Sequence, residues 1–372
     1  LFLPSRPPCA SFRPHPMIRF SDPTLVANAA KVLTLAALAF FVAMIQTPLL
    51  ARVLYKYRFA KKIRALGVPI FTSLHKKKEG TPTGGGVLVW TTMILLAFGL
   101  LVLSTLTGST LLSRLSFLSR SETLLPLGAL VASAVVGLLD DYWDVRRISP
   151  FGGGLRMRHR LLLYTAIAAF GAWWFFVKLG WDEIHVPALG DYVIGAWYVP
   201  LFILVVVSTA FSVNEADGLD GLAGGILLFC FGAMAAIAFN KGLVDLAAFC
   251  AVLIGALLAF LWFNVYPARF FMGDTGSMSL GITLGIIAML TNSALVLPVI
   301  AFPLVIESLS VVLQVVSKRL RGKKLFLSSP IHHHFEALGG PETKVTMRFW
   351  ILSAVAAAGG TVLGVLGAGK PL

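Results

Sequence analysis

Residues 222–239 read LAGGILLFCFGAMAAIAF, a run with no charged residue and long enough to cross the hydrocarbon core of a bilayer. Before it stands Asn214-Glu215-Ala216-Asp217-Gly218-Leu219-Asp220-Gly221, and after it a second apolar run fills 243–262. Further runs can be drawn at 29–50, 86–106, 123–139, 161–178, 192–211, 279–290, 294–316 and 349–367, with the boundary of the last two but one near Thr291-Asn292. A spanning helix needs about 20 apolar residues, so the pattern predicts an all-α, polytopic integral membrane protein with about ten transmembrane helices. Composition excludes a water-soluble globule: 57% of the 372 residues are apolar and 13% charged, and the mean hydropathy is +0.85.

Ten spans place the odd-numbered connections together on one side of the membrane. Those at 51–84, 140–160, 212–221, 263–278 and 317–348 hold 22 of the 31 Lys and Arg. The even connections hold only Arg114, Arg120, Lys178 and Lys241, so the positive-inside rule assigns the odd connections to the cytoplasm. The net charge of +14 is thereby explained by topology and by contact with anionic membrane lipids, with no need for nucleic acid. Cys9, Cys230 and Cys250 have no metal-binding spacing and read as packing residues. Residues 1–23, Pro- and Arg-rich up to a candidate start at Met17, read as a disordered extension, and 24–372 as a single integral membrane domain.

The cytoplasmic connections also hold the chemistry. Acids number only 17, yet five aspartates sit in three short motifs at the ends of apolar runs. A carboxylate there is costly unless it meets a metal, a proton or a cation. Asp140 and Asp141 are adjacent, and because they repel, one can face a cation while the other takes a proton or hydrogen bond. Asp217 and Asp220 are spaced i, i+3, which on a helical turn would put them on one face, with glycines that admit a ligand to the backbone and Asn214 to read a polar edge. The alternative is an Asx-type turn between helices, but two Asp-Gly steps within four residues, with an Asn three before, favour a functional role. Asp274, in Phe271-Met272-Gly273-Asp274-Thr275-Gly276-Ser277, suits an oxygen-only Mg²⁺ site shared with phosphate, the alternative being a helix cap.

Two basic elements accompany the acids. His75-Lys76-Lys77-Lys78-Glu79-Gly80-Thr81-Pro82-Thr83 is a candidate phosphate cradle without the ending of a Walker loop. His332, His333 and His334 cannot readily all face one tetrahedral zinc, and hydrogen bonding to a nucleotide or diphosphate is the favoured role. Glu307 and Gln314 lie seven apart on one face of a membrane segment, where they could meet a ligand or another helix.

Taken in order, Thr81-Pro82-Thr83, Asp140-Asp141-Tyr142, Asn214 to Asp220, Asn264 with Phe271 to Asp274, and Pro330 with His332-His334 resemble the phospho-N-acetylmuramoyl-pentapeptide-transferase family of the polyprenyl-phosphate N-acetylhexosamine-1-phosphate transferase superfamily. The likeness covers about residues 25 to 365. It implies a multi-pass protein of the bacterial plasma (inner) membrane, commonly a homodimer, with a Mg²⁺-dependent site facing the cytoplasm. The implied reaction joins UDP-N-acetylmuramoyl-pentapeptide to undecaprenyl phosphate, giving lipid I and UMP for the cell wall. By the same likeness Asp274 would hold Mg²⁺, and Asp140 and Asp141 would activate the carrier phosphate. Asn214, Asp217, Gly218, Asp220, Asn264, Phe271, Gln314, His332, His333 and His334 would bind substrate, with Lys78 and Thr81 closing the site.

The chain departs from the family's pattern in places. Glu215-Ala216 stands where Leu-Thr is usual, Arg160 to Tyr164 replaces Lys-Phe-Leu-Leu-Gln, and Asp144 replaces a Lys. Pro150-Phe151-Gly152-Gly153-Gly154 is an added stretch. A transferase of N-acetylglucosamine-1-phosphate would share the Asp motifs, but the unbroken His run points to the muramoyl enzyme. An ion transporter would place its acids near the midplane, not at helix ends.

Overall fold

The computed structural model describes residues 23–60, 78, 80–120, 122–148 and 154–366. Residues 1–22 of the N-terminal extension, His75 to Lys77, Glu79, and Pro150 to Gly153 of the added stretch fall outside these, and Pro23 already belongs to the first helix. Helices dominate: α1 (Pro23–Lys56), α2 (Val87–Thr107), α3 (Thr110–Leu115), α4 (Leu124–Arg146), α5 (Met157–Trp173, continued by a π-helical turn to Lys178), α6 (Tyr198–Ala216), α7 (Leu222–Asn240), α8 (Val244–Asn264), α9 (Gly273–Leu290), α10 (Leu297–Ile300), α11 (Phe302–Arg321), α12 (Ile331–Ala337) and α13 (Glu342–Leu366). The strands β1 (Glu183–Val186) and β2 (Gly190–Val193) pair antiparallel in a hairpin before α6.

Nine helices among the described residues are long and apolar enough to cross a membrane. The segment drawn at 294–316 is the exception. It breaks at Ala301 into α10 and α11, with Pro298 and Pro303 in the first turns. Glu307, Ser310, Gln314 and Ser317 point inward from α11, while Leu309, Val312, Leu313, Val316 and Leu320 point out. The helix turns its polar face toward protein, where Ser308 and Ser212 of α6 meet at 2.9 Å between hydroxyls. The eighth span also begins earlier than drawn, at Gly273, because its Gly, Thr and Ser residues lower its hydropathy while facing protein on every side.

That helix, α9, is the axis of the bundle. Every one of its residues is buried, and it packs against α4 and α6, while α8 lies between α1 and α7. With no water to drive helix association inside a membrane, close backbone approach and interhelical hydrogen bonds carry it. Gly137 of α4 is such a point: a Cβ there would collide with the Asp274 carbonyl oxygen and lie 2.7 Å from the Thr275 Cα. Gly137→Ala is therefore expected to force α4 from α9, lowering stability by about 1–3 kcal/mol and separating Asp274 from Asp140 and Asp141. Melting in detergent and turnover should both fall. Gly128→Ala, on the same helix with open space around it, should change neither.

Candidate active site

The ends of α4, α6 and α8 and the starts of α2, α5, α7, α9 and α13 meet at one end of the bundle, so the acids and cations of distant connections share a single locus. Asp274, in the first turn of α9, does not cap that helix. Its Oδ1 accepts a hydrogen bond from Asn214 Nδ2 at 2.7 Å and its Oδ2 one from Arg160 Nη2 at 2.9 Å. Arg160 also donates from Nη1 to Asn214 Oδ1 at 3.1 Å, and its Nε lies 2.8 Å from Asp140 Oδ2. One guanidinium thus ties together the ends of α4, α6 and α9.

Asp140 and Asp141 are both fully buried and turn to different partners, as their repulsion requires. Asp140 accepts from the Leu155 N–H as well as facing Arg160, whereas Asp141 Oδ2 accepts from the Thr275 N–H at 3.0 Å, anchoring the start of α9. Asp217 Oδ2 accepts from the Gly273 N–H at 3.0 Å. Gly273 has φ +74, and a Cβ there would lie 2.6 Å from both Asp141 Oδ2 and Thr83 Oγ1, so only glycine allows these groups to close over the helix start.

Asp217 and Asp220 do not share a helical face. The segment after Ala216 is a turn, closed by Gly221 at φ +75, and the two carboxylates reach different backbone amides. Asp220 accepts from the Ala268 N–H at 3.0 Å and pairs with Lys78 Nζ at 2.7 Å. Lys78 also pairs with Glu342 of α13, which accepts the Asp220 N–H at 2.7 Å, and its ammonium lies 5.7 Å from the Phe271 ring centre. The Thr81 N–H donates to the Lys78 carbonyl at 3.1 Å, and Phe271 is held by its N–H to the Pro82 carbonyl at 2.8 Å. Asn264 is buried, linking the Gly221 N–H at 3.0 Å to the Phe270 carbonyl at 2.8 Å.

The three histidines part company. His332 Nδ1 faces Glu307 at 2.9 Å, His333 Nδ1 faces Glu336 at 2.7 Å, and His334 Nδ1 accepts from the Leu327 N–H at 3.2 Å. Gln314 is engaged with the loop after α11: its Oε1 accepts from the Leu325 and Phe326 N–H groups, both at 2.9 Å, and its Nε2 donates to the Phe326 carbonyl at 3.0 Å. Gly218 lies under the His332 and His333 rings.

Asp140, Asp141 and Asp274 around one guanidinium, with Asp217 at the nearby Gly273 N–H, make an acid-rich locus built of hard oxygen donors. Among the described residues no three of His, Cys, Asp and Glu form a ready metal cage. Carboxylates are the donors that an ion such as Mg²⁺ takes from a protein, one or two at a time, with water and substrate phosphate supplying the remaining oxygens.

Sequence reasoning passed over Arg160, Glu336 and Glu342. Arg160 did carry a signal, as the cation at the threshold of an apolar run that follows an aspartate pair. Glu342 and Glu336 carried none, since their partners are set by the tertiary fold and by a single helical turn.

The chain resembles known proteins in two comparisons. A family profile described as Glycosyl transferase family 4 matches residues 123–292. A phospho-N-acetylmuramoyl-pentapeptide-transferase of Chloroflexus aggregans is 35% identical over 355 residues, covering 92% of this chain and 92% of its own length. Proteins of the same name from Clostridium novyi and Clostridium perfringens strain SM101 are 37% and 36% identical, covering 85% and 87% of this chain and 92% and 94% of their own lengths.

Proposed function

The chain belongs to the phospho-N-acetylmuramoyl-pentapeptide-transferase family, and from that premise we propose how its acid-rich helix ends carry the reaction. The protein is a multi-pass membrane transferase of peptidoglycan synthesis. It transfers phospho-N-acetylmuramoyl-pentapeptide from UDP-N-acetylmuramoyl-pentapeptide to undecaprenyl phosphate, giving lipid I and UMP. The site faces the cytoplasm, a side supported by the Lys and Arg of the connections that share its end of the bundle.

The observation that carries the mechanism is the Arg160 strut. By pairing with Asp274 and Asp140 and bonding Asn214, it holds two carboxylates at fixed angles in a setting where unpaired charge would be costly. Asp274 would hold Mg²⁺, which when bound supplies positive charge to offset the diphosphate oxygens and the leaving UMP. Lys78, aligned by Asp220 and Glu342, offers a cation for a substrate phosphate beside the Phe271 ring. The histidines of α12 close the nucleotide side over Gly218.

In the direct route, an oxygen of the carrier phosphate attacks the phosphorus bonded to the sugar. The new P–O bond forms as the bond from that phosphorus to the bridging oxygen breaks, and UMP leaves with the electron pair. If the carrier phosphate arrives protonated, its proton passes to a carboxylate of the Asp140-Asp141 pair and from there to solvent. Bringing two anions together is the main barrier, so fixed cationic groups account for most of the rate.

Purified protein in detergent is expected to release UMP from UDP-N-acetylmuramoyl-pentapeptide only when both undecaprenyl phosphate and Mg²⁺ are present. Turnover of UDP-N-acetylglucosamine in its place would overturn the substrate assignment. Activity undiminished by a chelator would overturn the metal.

A further inference from the structure

Helix α13 meets the turn that follows α6 with three residues spaced i, i+4 and i+8 on one face, Glu342, Thr346 and Trp350. Each bonds to the backbone of that turn. Glu342 Oε1 accepts from the Asp220 N–H at 2.7 Å, Thr346 Oγ1 donates to the Asp220 carbonyl at 3.3 Å, and Trp350 Nε1 donates to the Gly221 carbonyl at 3.0 Å. Holding a backbone in this way needs no charge, and Thr346 and Trp350 do it with neutral groups. Glu342 brings a carboxylate, and the oxygen that takes the Asp220 N–H also pairs with Lys78.

Lys78 is thereby offset twice. Asp220 Oδ1 lies 2.7 Å from its Nζ, so two carboxylates share one ammonium and the three groups together carry one net negative charge. The two acids are placed differently. The Asp220 side chain is only 3% exposed and its Oδ2 is held by the Ala268 N–H at 3.0 Å, whereas Lys78 and Glu342 stay 16% and 12% exposed. Asp220 is the fixed counter-ion beneath the lysine, and Glu342 is the one nearer the surface of the site.

We propose that Glu342 is a positioning residue acting through Lys78: it holds the ammonium in place and withholds part of its charge, so that the nucleotide's phosphate is gripped less tightly than an unopposed lysine would grip it. This rests on the role of Lys78 described under Proposed function. An ammonium has three N–H donors; Asp220 and Glu342 take two, and one is left for a phosphate oxygen. That phosphate then stands across a single ammonium from the Glu342 carboxylate, close enough for like charges to repel at the edge of a protein. Attraction withheld from the bound nucleotide does not slow the chemical step, because only interactions that strengthen in the transition state accelerate it, and it lets the nucleotide leave.

Glu342→Gln isolates the charge. Both hydrogen bonds of Glu342 are made by Oε1, and a glutamine carbonyl oxygen in its place accepts from the Asp220 N–H and from Lys78 alike. Geometry is kept and one negative charge is removed.

The test is calorimetric binding of UDP, with uridine as control, to the full chain in detergent with Mg²⁺. Glu342→Gln is expected to bind UDP about tenfold more tightly than wild type, because a like charge has been taken from beside the phosphate, and to bind uridine unchanged. Glu342→Asp, which keeps the charge, should show no such gain. Lys78→Gln should bind UDP about tenfold more weakly. UDP affinity in Glu342→Gln equal to wild type or below it would overturn the proposal and mark Glu342 as a plain support for the turn. A gain shared by Glu342→Asp, or by uridine, would overturn it too, since geometry and not charge would then be the cause. Unfolding of Glu342→Gln would count against it in the same way, because a side chain that keeps both hydrogen bonds should keep the turn. If wild type binds no UDP, or Lys78→Gln binds it as well as wild type does, the reading of Lys78 is wrong and the proposal falls with it, a result separate from the others.

Discussion

Asp274→Asn is expected to lower turnover by on the order of 10³-fold or more while the protein still folds. The substitution keeps the shape of the side chain. Its two oxygens now accept from Asn214 Nδ2 and Arg160 Nη2; an amide can keep one of these bonds but faces the other donor with an N–H. The fold survives because Arg160 retains Asp140 and Asn214 as partners, and because Asp141 and Asp217 still accept the N–H groups of Thr275 and Gly273 at the start of α9. What is lost is the charge that would hold Mg²⁺ next to the diphosphate. UMP release measured against Mg²⁺ concentration, beside a melting curve in detergent, separates the two effects. Wild-type turnover with unchanged Mg²⁺ dependence would remove Asp274 from the metal's coordination.

The placement of Asp274 was legible in the sequence for a physical reason. In a chain this apolar, a carboxylate at the end of a long hydrophobic run is expensive, so scarcity itself marks the positions where charge has a task. The same logic located Asp140, Asp141, Asp217 and Asp220, and the charge asymmetry of the connections placed them at one end of the bundle. The structure gathers these residues there through α4, α6 and α9. Hydropathy succeeded where a helix faces lipid and failed where it faces protein. The start of α9 was set six residues late because its Gly, Asp, Thr and Ser side chains are solvated by other helices. Helix α11 was drawn as an ordinary span because its inward Glu307 and Gln314 were averaged with its outward leucines and valines.

The i, i+3 spacing of Asp217 and Asp220 misled in a different way. It presumed a helix, but the glycines that admit a ligand also end the helix, and Gly221 takes a left-handed conformation that separates the two carboxylates. Arg160 was undervalued because nothing local announces its partners: Asn214 lies 54 residues away and Asp274 lies 114. Its neighbours in sequence are other cations, which suggested contact with lipid head groups. Only the packing of α5 against α6, beside the start of α9, turns this one cation inward.

Arg160 accordingly supports the other large expected effect. Arg160→Gln removes a positive charge that joins Asp140 and Asp274, at 2.8 and 2.9 Å, and puts a neutral amide between two buried carboxylates. Breaking a buried ion pair by deleting one partner costs about 3–5 kcal/mol, so the folded yield in detergent should drop and turnover should disappear. Arg160→Lys is the informative companion. An ammonium keeps the charge but is a point donor, unable to address Asp140, Asp274 and Asn214 together as the planar fork does. The Lys variant should fold, bind the UDP-sugar substrate, and lose roughly 10- to 100-fold in kcat, as is usual when the support behind a metal ligand is loosened. Its half-saturating Mg²⁺ should not rise, because a less fully neutralised Asp274 attracts the ion at least as well. If Arg160→Gln instead folds and turns over normally, the guanidinium is no strut, and the alignment of Asp140 with Asp274 is held without it, by contacts such as the packing of α4 on α9.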